Sequence, residues 1–531
     1  MREMRDESIP EREEVRRSPD ERDREENDWC EERPNKDVDV RLEVRYALNK
    51  IAKTLKDGKV VASDEVRLRS YNGKLVGPVI EVRPGDTLNV FLNNNLPEIP
   101  PPPPPPPGTP PPPNNIPHGF NATNLHFHGL HVSPAGISDN VMIAAGPGDR
   151  LQYEVKIPRD HAAGTYWYHP HKHGSVTLQV ASGMVGALII RGDIDRVPAI
   201  KKAKERIFVF QQIAYELNAQ GIGEVERYAP TFTPLGGWPV LIQQGRRFTI
   251  NGEVEPTFIL KPGEVQRWRF IHAGTREPLQ VKLVKRDPKT RAEVPIPQYQ
   301  IALDGITTGF IDRVDVTELH PAYRADVLVR AVDDKGKPLP EGVYWLVDEN
   351  PAARGTPSRD LARVVVKGGK CEMALPKESE LKGLAPFKPI EDDEITGTQE
   401  AHFSIDPPNP NPPPPPAVQP KFLINGKEFD PHAPPRKLKL DAVEEWNISS
   451  RDLDHPFHIH VNPFMFKRAD GRVVWKDTIN LAPLQSMKVR TRYTRYIGVF
   501  MVHCHILVHA DLGMAETMEI VAPRPAHVHE H

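Results

Sequence analysis

Three stretches of this chain repeat one pattern, and that repeat limits the possible folds more than any other feature. Residues 70–94 (SYNGKLVGPVIEVRPGDTLNVFLNN), 248–274 (FTINGEVEPTFILKPGEVQRWRFIHAG) and 422–450 (FLINGKEFDPHAPPRKLKLDAVEEWNISS) each read as a strand, an Asn-Gly turn, a short strand, a second turn and an alternating strand. The Asn-Gly pairs begin at Asn72, Asn251 and Asn425, offsets of 179 and 174 residues. A period of that size is a whole domain, not a solenoid unit. The chain therefore reads as three copies of one β-sandwich domain.

Composition agrees with an all-β reading. Proline is 58 of 531 residues, about twice the usual ~5%, and proline removes a backbone donor and clashes inside helices. Lys and Arg number 69 against 72 Asp and Glu, a balance that argues against a nucleic-acid partner, which would call for a basic face. The longest apolar run, residues 184–190, reads as a short strand, so no membrane span is expected. Three cysteines, Cys30, Cys371 and Cys504, exclude a disulfide-dense scaffold. The charged segment before Trp29 has no apolar stretch of signal-peptide type and reads as a disordered tail. Boundaries follow: a tail over 1–37, a first domain over 38–195, a second over 205–370, a linker over 371–398, a third domain over 399–523 and a His-containing tail over 524–531. Proline tracts over 100–113 and 407–416 read as stiff surface loops, with a polyproline ligand as the lesser reading. Asn121 and Asn447 open glycosylation-type triplets.

Histidine carries the functional signal. With 21 in the chain, chance gives roughly one His-x-His, so a lone example has no weight. Seven occur; beyond the C-terminal tail and the overlapping His171/His173, four pairs remain: His126/His128, His169/His171, His458/His460 and His503/His505. On a strand, residues i and i+2 share a face, so each pair presents two imidazoles side by side. Eight imidazoles are too many for one ion and enough for a cluster of copper, iron, nickel or zinc. The segment HCHILVHADLGM narrows the metal. Cys504 must point away from His503 and His505, and with His455, His509 and Met514 it forms the ligand set of a blue-copper site. Structural zinc favours more cysteines and no thioether.

The motifs HFHG at 126–129, YWYHPHKHGS at 166–175, HPFHIH at 455–460 and HCHILVHADLGM at 503–514 resemble those of the multicopper oxidases, the laccase-like group with three cupredoxin domains. The resemblance spans residues 39–523 and implies three tandem cupredoxin-like Greek-key β-sandwich domains. It implies four copper ions: a type 1 copper on His455, Cys504, His509 and Met514, a type 2 copper on His126 and His458, and a type 3 pair on His128, His169, His171, His460, His503 and His505. The middle copy, with only His272 and His320, matches the family's copper-free spacer. A small reducing substrate would give up electrons one at a time near His509. They would pass through Cys504 into His503 and His505, and O2 would be reduced to water.

Asp139 matches an acid that the family places near the cluster, for proton delivery. The family's second acid, directly after the last type 1 histidine, is here Ala510, followed by Asp511. Since positioned acid–base groups are worth about 10²–10⁴ in rate, slower oxygen reduction is expected. The leading expectation is an oxidase of phenols or aromatic amines. A Cu(I), Fe(II) or Mn(II) oxidase and a low-turnover electron carrier are the alternatives. His131 and His173 read as neighbours of the ligand pairs, and His118, His161, His402 and His432 carry no spacing signal. The family implies a periplasmic or secreted protein, and a monomer is the expected state.

Overall fold

The computed structural model describes residues 34–56, 58–100, 114–225, 246–349, 359–406 and 420–522. The charged N-terminal segment with Cys30, nearly all of both proline tracts and the terminal histidines lie outside these residues.

The three Asn-Gly pairs make the same turn for the same reason. Asn72, Asn251 and Asn425 have φ of 54°, 54° and 52°, and the glycines after them 76°, 87° and 74°. Positive φ at both central positions is the hairpin turn whose twist matches the flanking strands. The asparagine does a second job. Its Oδ1 accepts the backbone N–H of Glu43, Val209 or His402, at 2.7, 2.9 and 2.9 Å. Its Nδ2 donates to the carbonyl two residues earlier, on Arg41, Ile207 or Glu400. Each turn is thereby pinned to the first strand of its own copy.

Around these turns the chain folds into three cupredoxin-like β-sandwiches of matching topology. The first pairs a sheet ordered Lys59–Tyr71, Asp37–Lys56, Thr87–Asn94, Arg150–Lys156 with one ordered Ile80–Val82, Gly186–Ile190, Gly164–His169, His126–His128. The third pairs Lys421–Ile424, Gly397–Asp406, Val443–Ser450, Ser486–Arg492 with Arg436–Lys439, Ala515–Val521, Gly498–Cys504, His455–Ile459. The middle copy follows the same order with Arg246–Ile250, Lys204–Ala214, Val265–His272, Arg324–Arg330 and Thr257–Leu260, Arg359–Val366, Gly342–Asp348, Leu279–Arg286. In each copy the first strand runs parallel to the alternating strand and antiparallel to the hairpin strand before the turn. Apolar residues from both sheets fill each sandwich, with Trp268 and Trp446 fully buried. Among the described residues no helix is long and apolar enough to cross a membrane.

The polar stretches between the sandwiches are tied down. Arg191 is buried and donates to Glu205 at 2.7 Å and to Glu81 at 3.0 Å. The segment before the third sandwich carries a short helix, Glu378–Leu381, and buries Ile390. Asn121 is no glycosylation acceptor here: it is buried, its Oδ1 accepting from Arg69 at 2.8 Å and its Nδ2 donating to the Pro97 carbonyl at 2.7 Å.

A buried ion network joins the first and middle sandwiches. Arg269 donates to Thr165 Oγ1, Asp326 and Glu205, each at 2.8 Å, and Arg267 donates to Asp195 at 2.7 Å and to Asp326. Removing one partner of such a set strands a buried charge. Asp326→Ala is therefore expected to cost about 3–5 kcal/mol of unfolding free energy, measured by denaturant titration. Asp160→Ala, which breaks the exposed pair with Arg495, should cost about 1 kcal/mol or less.

Candidate metal centre

Two antiparallel strand pairs bring the histidines together. In the first sandwich His126 lies opposite His169, and in the third His458 lies opposite His503. Strand alternation sends Phe127, Ile459 and Cys504 into the apolar cores and the flanking imidazoles outward. The two outward faces press on each other: His126 stacks on His460 and His128 on His458, each with ring centroids 3.9 Å apart. Seven of the eight rings belong to buried residues and the eighth, that of His171, to a half-buried one.

Backbone carbonyls and two carboxylates, those of Asp139 and Asp477, set the ring orientations. The Nδ1 atoms of His169, His503 and His458 lie 2.9, 3.0 and 2.9 Å from the carbonyl oxygens of Pro170, Cys504 and Asp477. A carbonyl only accepts, so each Nδ1 carries the proton and each Nε2 keeps its lone pair. His126 Nδ1 contacts both oxygens of Asp139, at 3.0 and 3.1 Å. Three Nε2 atoms converge, with those of His171 and His460 at 3.1 and 3.2 Å from His503 Nε2. His126 Nε2, His458 Nε2 and both nitrogens of His505 have no hydrogen-bond partner although buried. Unpaired buried polar atoms cost about 1–3 kcal/mol each, and imidazole lone pairs aimed at one space are what a borderline metal ion binds. The donor set fits copper.

The second donor set lies on the far side of the Cys504 strand. Cys504 Sγ is 3.5 Å from His455 Nδ1 and 3.7 Å from His509 Nδ1, and the two nitrogens are 3.2 Å apart. His509 sits on the short helix Leu507–Asp511. The backbone of Met514 returns to the site: its N–H donates to the His509 carbonyl at 2.9 Å and its carbonyl accepts from Cys504 N–H at 3.1 Å. The two donor sets are thus joined covalently through Cys504 and its neighbours.

Burial dominates the electrostatics. It pushes His169 down to about 3 and His503 to about 4, and holds His126, His128, His171, His458, His460, His505 and His509 well below the ordinary value, with neighbouring imidazoles adding to the effect in most. Burial also raises Asp139 to about 8 and pushes the Cys504 thiol up. Neutral imidazole is the form that binds metal.

Several residues take other roles. Asp511 is occupied in joining two sandwiches: its carboxylate accepts from Gly174 N–H at 2.6 Å, Thr177 N–H at 2.9 Å and Thr177 Oγ1 at 2.7 Å. Ala510 lines a cavity of about 220 Å³ whose wall includes His171, His503, His173 and Phe429. His131 ties the first sandwich to the third through the Val461 carbonyl at 2.9 Å. In the middle copy both nitrogens of His272 are satisfied, and His320 pairs with Glu318. Sequence reasoning missed Asp477, whose Oδ1 lies 3.1 Å from His128 Nε2, and Arg324, which pairs with it. No spacing pattern links them, since 349 and 153 residues separate these contacts.

Comparison with known proteins accords with this geometry. Family models described as multicopper oxidase match residues 113–194 and 389–524. The chain is similar to the multicopper oxidase mco of Staphylococcus aureus, 24% identical over 85% of this chain and 83% of that protein. A laccase of Bacillus stratosphericus is 24% identical over 86% and 91% of the two chains. A solved multicopper oxidase from Campylobacter jejuni, described as a metallo-oxidase, superposes with a TM-score of 0.66 at 25% identity, covering 92% of both chains. Three cupredoxin-like sandwiches with copper-type donors between the first and the third define the class. The chain belongs to the multicopper oxidase family. It is an oxidoreductase that uses copper to couple oxidation of a reducing substrate to reduction of O2.

Neutral buried histidines make stability depend on pH. Unfolded histidines take up protons below 6.5, whereas His161, His272 and His503 do so only near 4 when folded. Between those values the unfolded chain holds more protons, so stability falls as pH falls. The melting temperature of the metal-free protein should drop steadily from pH 6.5 to pH 4 in a calorimetric series. A flat profile would contradict the burial of neutral rings.

Proposed function

We propose that the two donor sets hold four copper ions and that the electron donor is a phenol or aromatic amine. His455, Cys504 and His509, with Met514 as the weak axial ligand, would hold a type 1 copper, and His126 and His458 a type 2 copper. His171, His460 and His503 on one side, and His128, His169 and His505 on the other, would hold a type 3 pair. The carrying observation is the placement of Cys504 Sγ among two Nδ1 atoms while His503, its neighbour in sequence, meets the imidazole cluster. Copper, when bound, supplies one-electron redox chemistry at the cysteine end and reduces O2 at the imidazole end.

The chain's own part is placement, insulation and proton handling. The Cys504–His503 and Cys504–His505 peptide units form the covalent path between the two donor sets. Burial keeps water from the rings and preserves their lone pairs. Asp139 holds His126 by Nδ1 and serves as the proton store beside the cluster. Ala510, on the wall of the cavity that His503 also lines, offers no second one. The laccase name of the Bacillus relative supports an aromatic donor.

Oxygen uptake by the copper-loaded protein with a phenolic donor, with peroxide assayed alongside, tests the reading. Steady uptake without peroxide is expected. Uptake sustained only by Cu(I) or Fe(II) would mean a metal oxidase, and bleaching of the blue colour without uptake an electron carrier. Cys504→Ser should abolish both the blue colour and the uptake. Ala510→Glu should raise turnover by about a hundredfold, the low end of what a positioned acid contributes; no gain would count against the proton-supply argument.

A further inference from the structure

We infer that Arg324, a residue of the middle sandwich, is a positioning residue for the histidine cluster, acting through Asp477 to fix which nitrogen His128 presents to metal. This rests on the copper reading above and extends it to the one copy without a metal ligand.

The guanidinium is fully buried and spends all five of its N–H donors. Nε donates to the Thr165 carbonyl of the first sandwich at 3.3 Å. Nη1 donates to the Ala322 carbonyl at 3.0 Å and to Asp477 Oδ1 at 2.8 Å; Nη2 donates to the Asp304 carbonyl at 2.7 Å and to Asp477 Oδ2 at 2.5 Å. Asp477 belongs to the third sandwich and is held by a two-pronged fork, the geometry that arginine alone provides. From there it reaches two rings of the cluster. Oδ1 is 3.1 Å from His128 Nε2, and the Asp477 carbonyl accepts from His458 Nδ1 at 2.9 Å.

His128 is reversed relative to its neighbours. His126, His169, His458 and His503 are each anchored through Nδ1, whereas His128 is anchored through Nε2. The fork turns the Asp477 carboxylate so that Oδ1 meets His128 Nε2 as an acceptor. His128 Nε2 must then carry the ring proton, leaving the Nδ1 lone pair facing His169 Nε2 at 3.5 Å. Without the Arg324 fork the Asp477 carboxylate would be free to turn, and the His128 ring would lose its anchor at Nε2.

The backbone makes room for this arrangement. Gly129, directly after His128, has φ of 90°, and a Cβ there would lie 2.4 Å from Arg324 Nη2 and 2.7 Å from Asp477 Oδ2. The glycine of HFHG is thus a space requirement of the Arg324–Asp477 pair. Joining the sandwiches would not by itself require contact with a ring, and the Arg191, Arg267 and Arg269 network already joins the first and middle copies without touching one.

Full-length wild type, Arg324→Lys, Arg324→Gln and Asp477→Asn would be loaded with copper. Copper per chain, the near-ultraviolet absorption of a coupled copper pair, the electron paramagnetic resonance of isolated copper, the blue band and the melting temperature would be read on each, with chelator competition giving affinity. Arg324→Gln and Asp477→Asn are expected to lose cluster copper with affinity down on the order of 10–100-fold, while the blue band at Cys504 persists; Arg324→Lys should recover part of the loss. Unchanged cluster copper and spectra with a lower melting temperature, or parallel loss of both sites, would overturn the inference and leave Arg324 as interface support. If the Arg324 variants do not fold, Asp477→Asn decides by the same readouts. Wild type that binds copper only at Cys504 would overturn the four-copper reading itself, and this inference with it.

Discussion

The architecture depends on keeping eight imidazoles neutral in a dry seam between two β-sandwiches. Burial makes a charged ring costly there, so the rings are held unprotonated, and unprotonated rings are ligands. The seam must then be closed by something other than the histidines, since His126 Nε2, His458 Nε2 and both nitrogens of His505 are left without protein partners. Closure comes from its edges. Asp511 joins the third sandwich to the first, His131 reaches Val461, and the Arg495–Asp160 pair spans the same two copies.

Cys504 shows how little machinery the chain needs to couple two sites. A strand turns alternate side chains to opposite faces, so three consecutive residues serve both donor sets without a loop or an extra element. The same alternation places Phe127 and Ile459 in apolar cores between pairs of ligands. Each His-x-His therefore comes with its own anchor, and the rigidity of the sandwich core passes directly to the rings.

What was legible in the sequence was local. The Asn-Gly turns and the paired histidines repeat at short fixed spacings, and period-two alternation converts those spacings into geometry without further knowledge. Asp139 was visible through its place after HFHG. Asp477 and Arg324 were not, because neither lies near His128 in sequence and because an acid between two strands or an arginine in a middle copy has many ordinary explanations. The short helices Val176–Ala181 and Leu507–Asp511 also escaped. They are five or six residues long, carry no side-chain cap and are stabilised by packing on each other. Asp511 follows Ala510 in the sequence, and its backbone and hydroxyl partners show it spent on the interface. The triplet at Asn121 fitted a modification motif, yet the buried contact with Arg69 decides that position.

The seam has a thermodynamic consequence. Its rings come from the first and third sandwiches, so neither could retain the cluster metal alone, and the middle copy keeps the two halves in one chain at high effective concentration. Uptake of metal and closure of the seam are then a single linked equilibrium. Whatever loosens the docking of the outer sandwiches weakens metal retention by the same free energy, and whatever strips the metal loosens the docking in return. The bound ions would act as cross-links between distant parts of the chain as much as reagents.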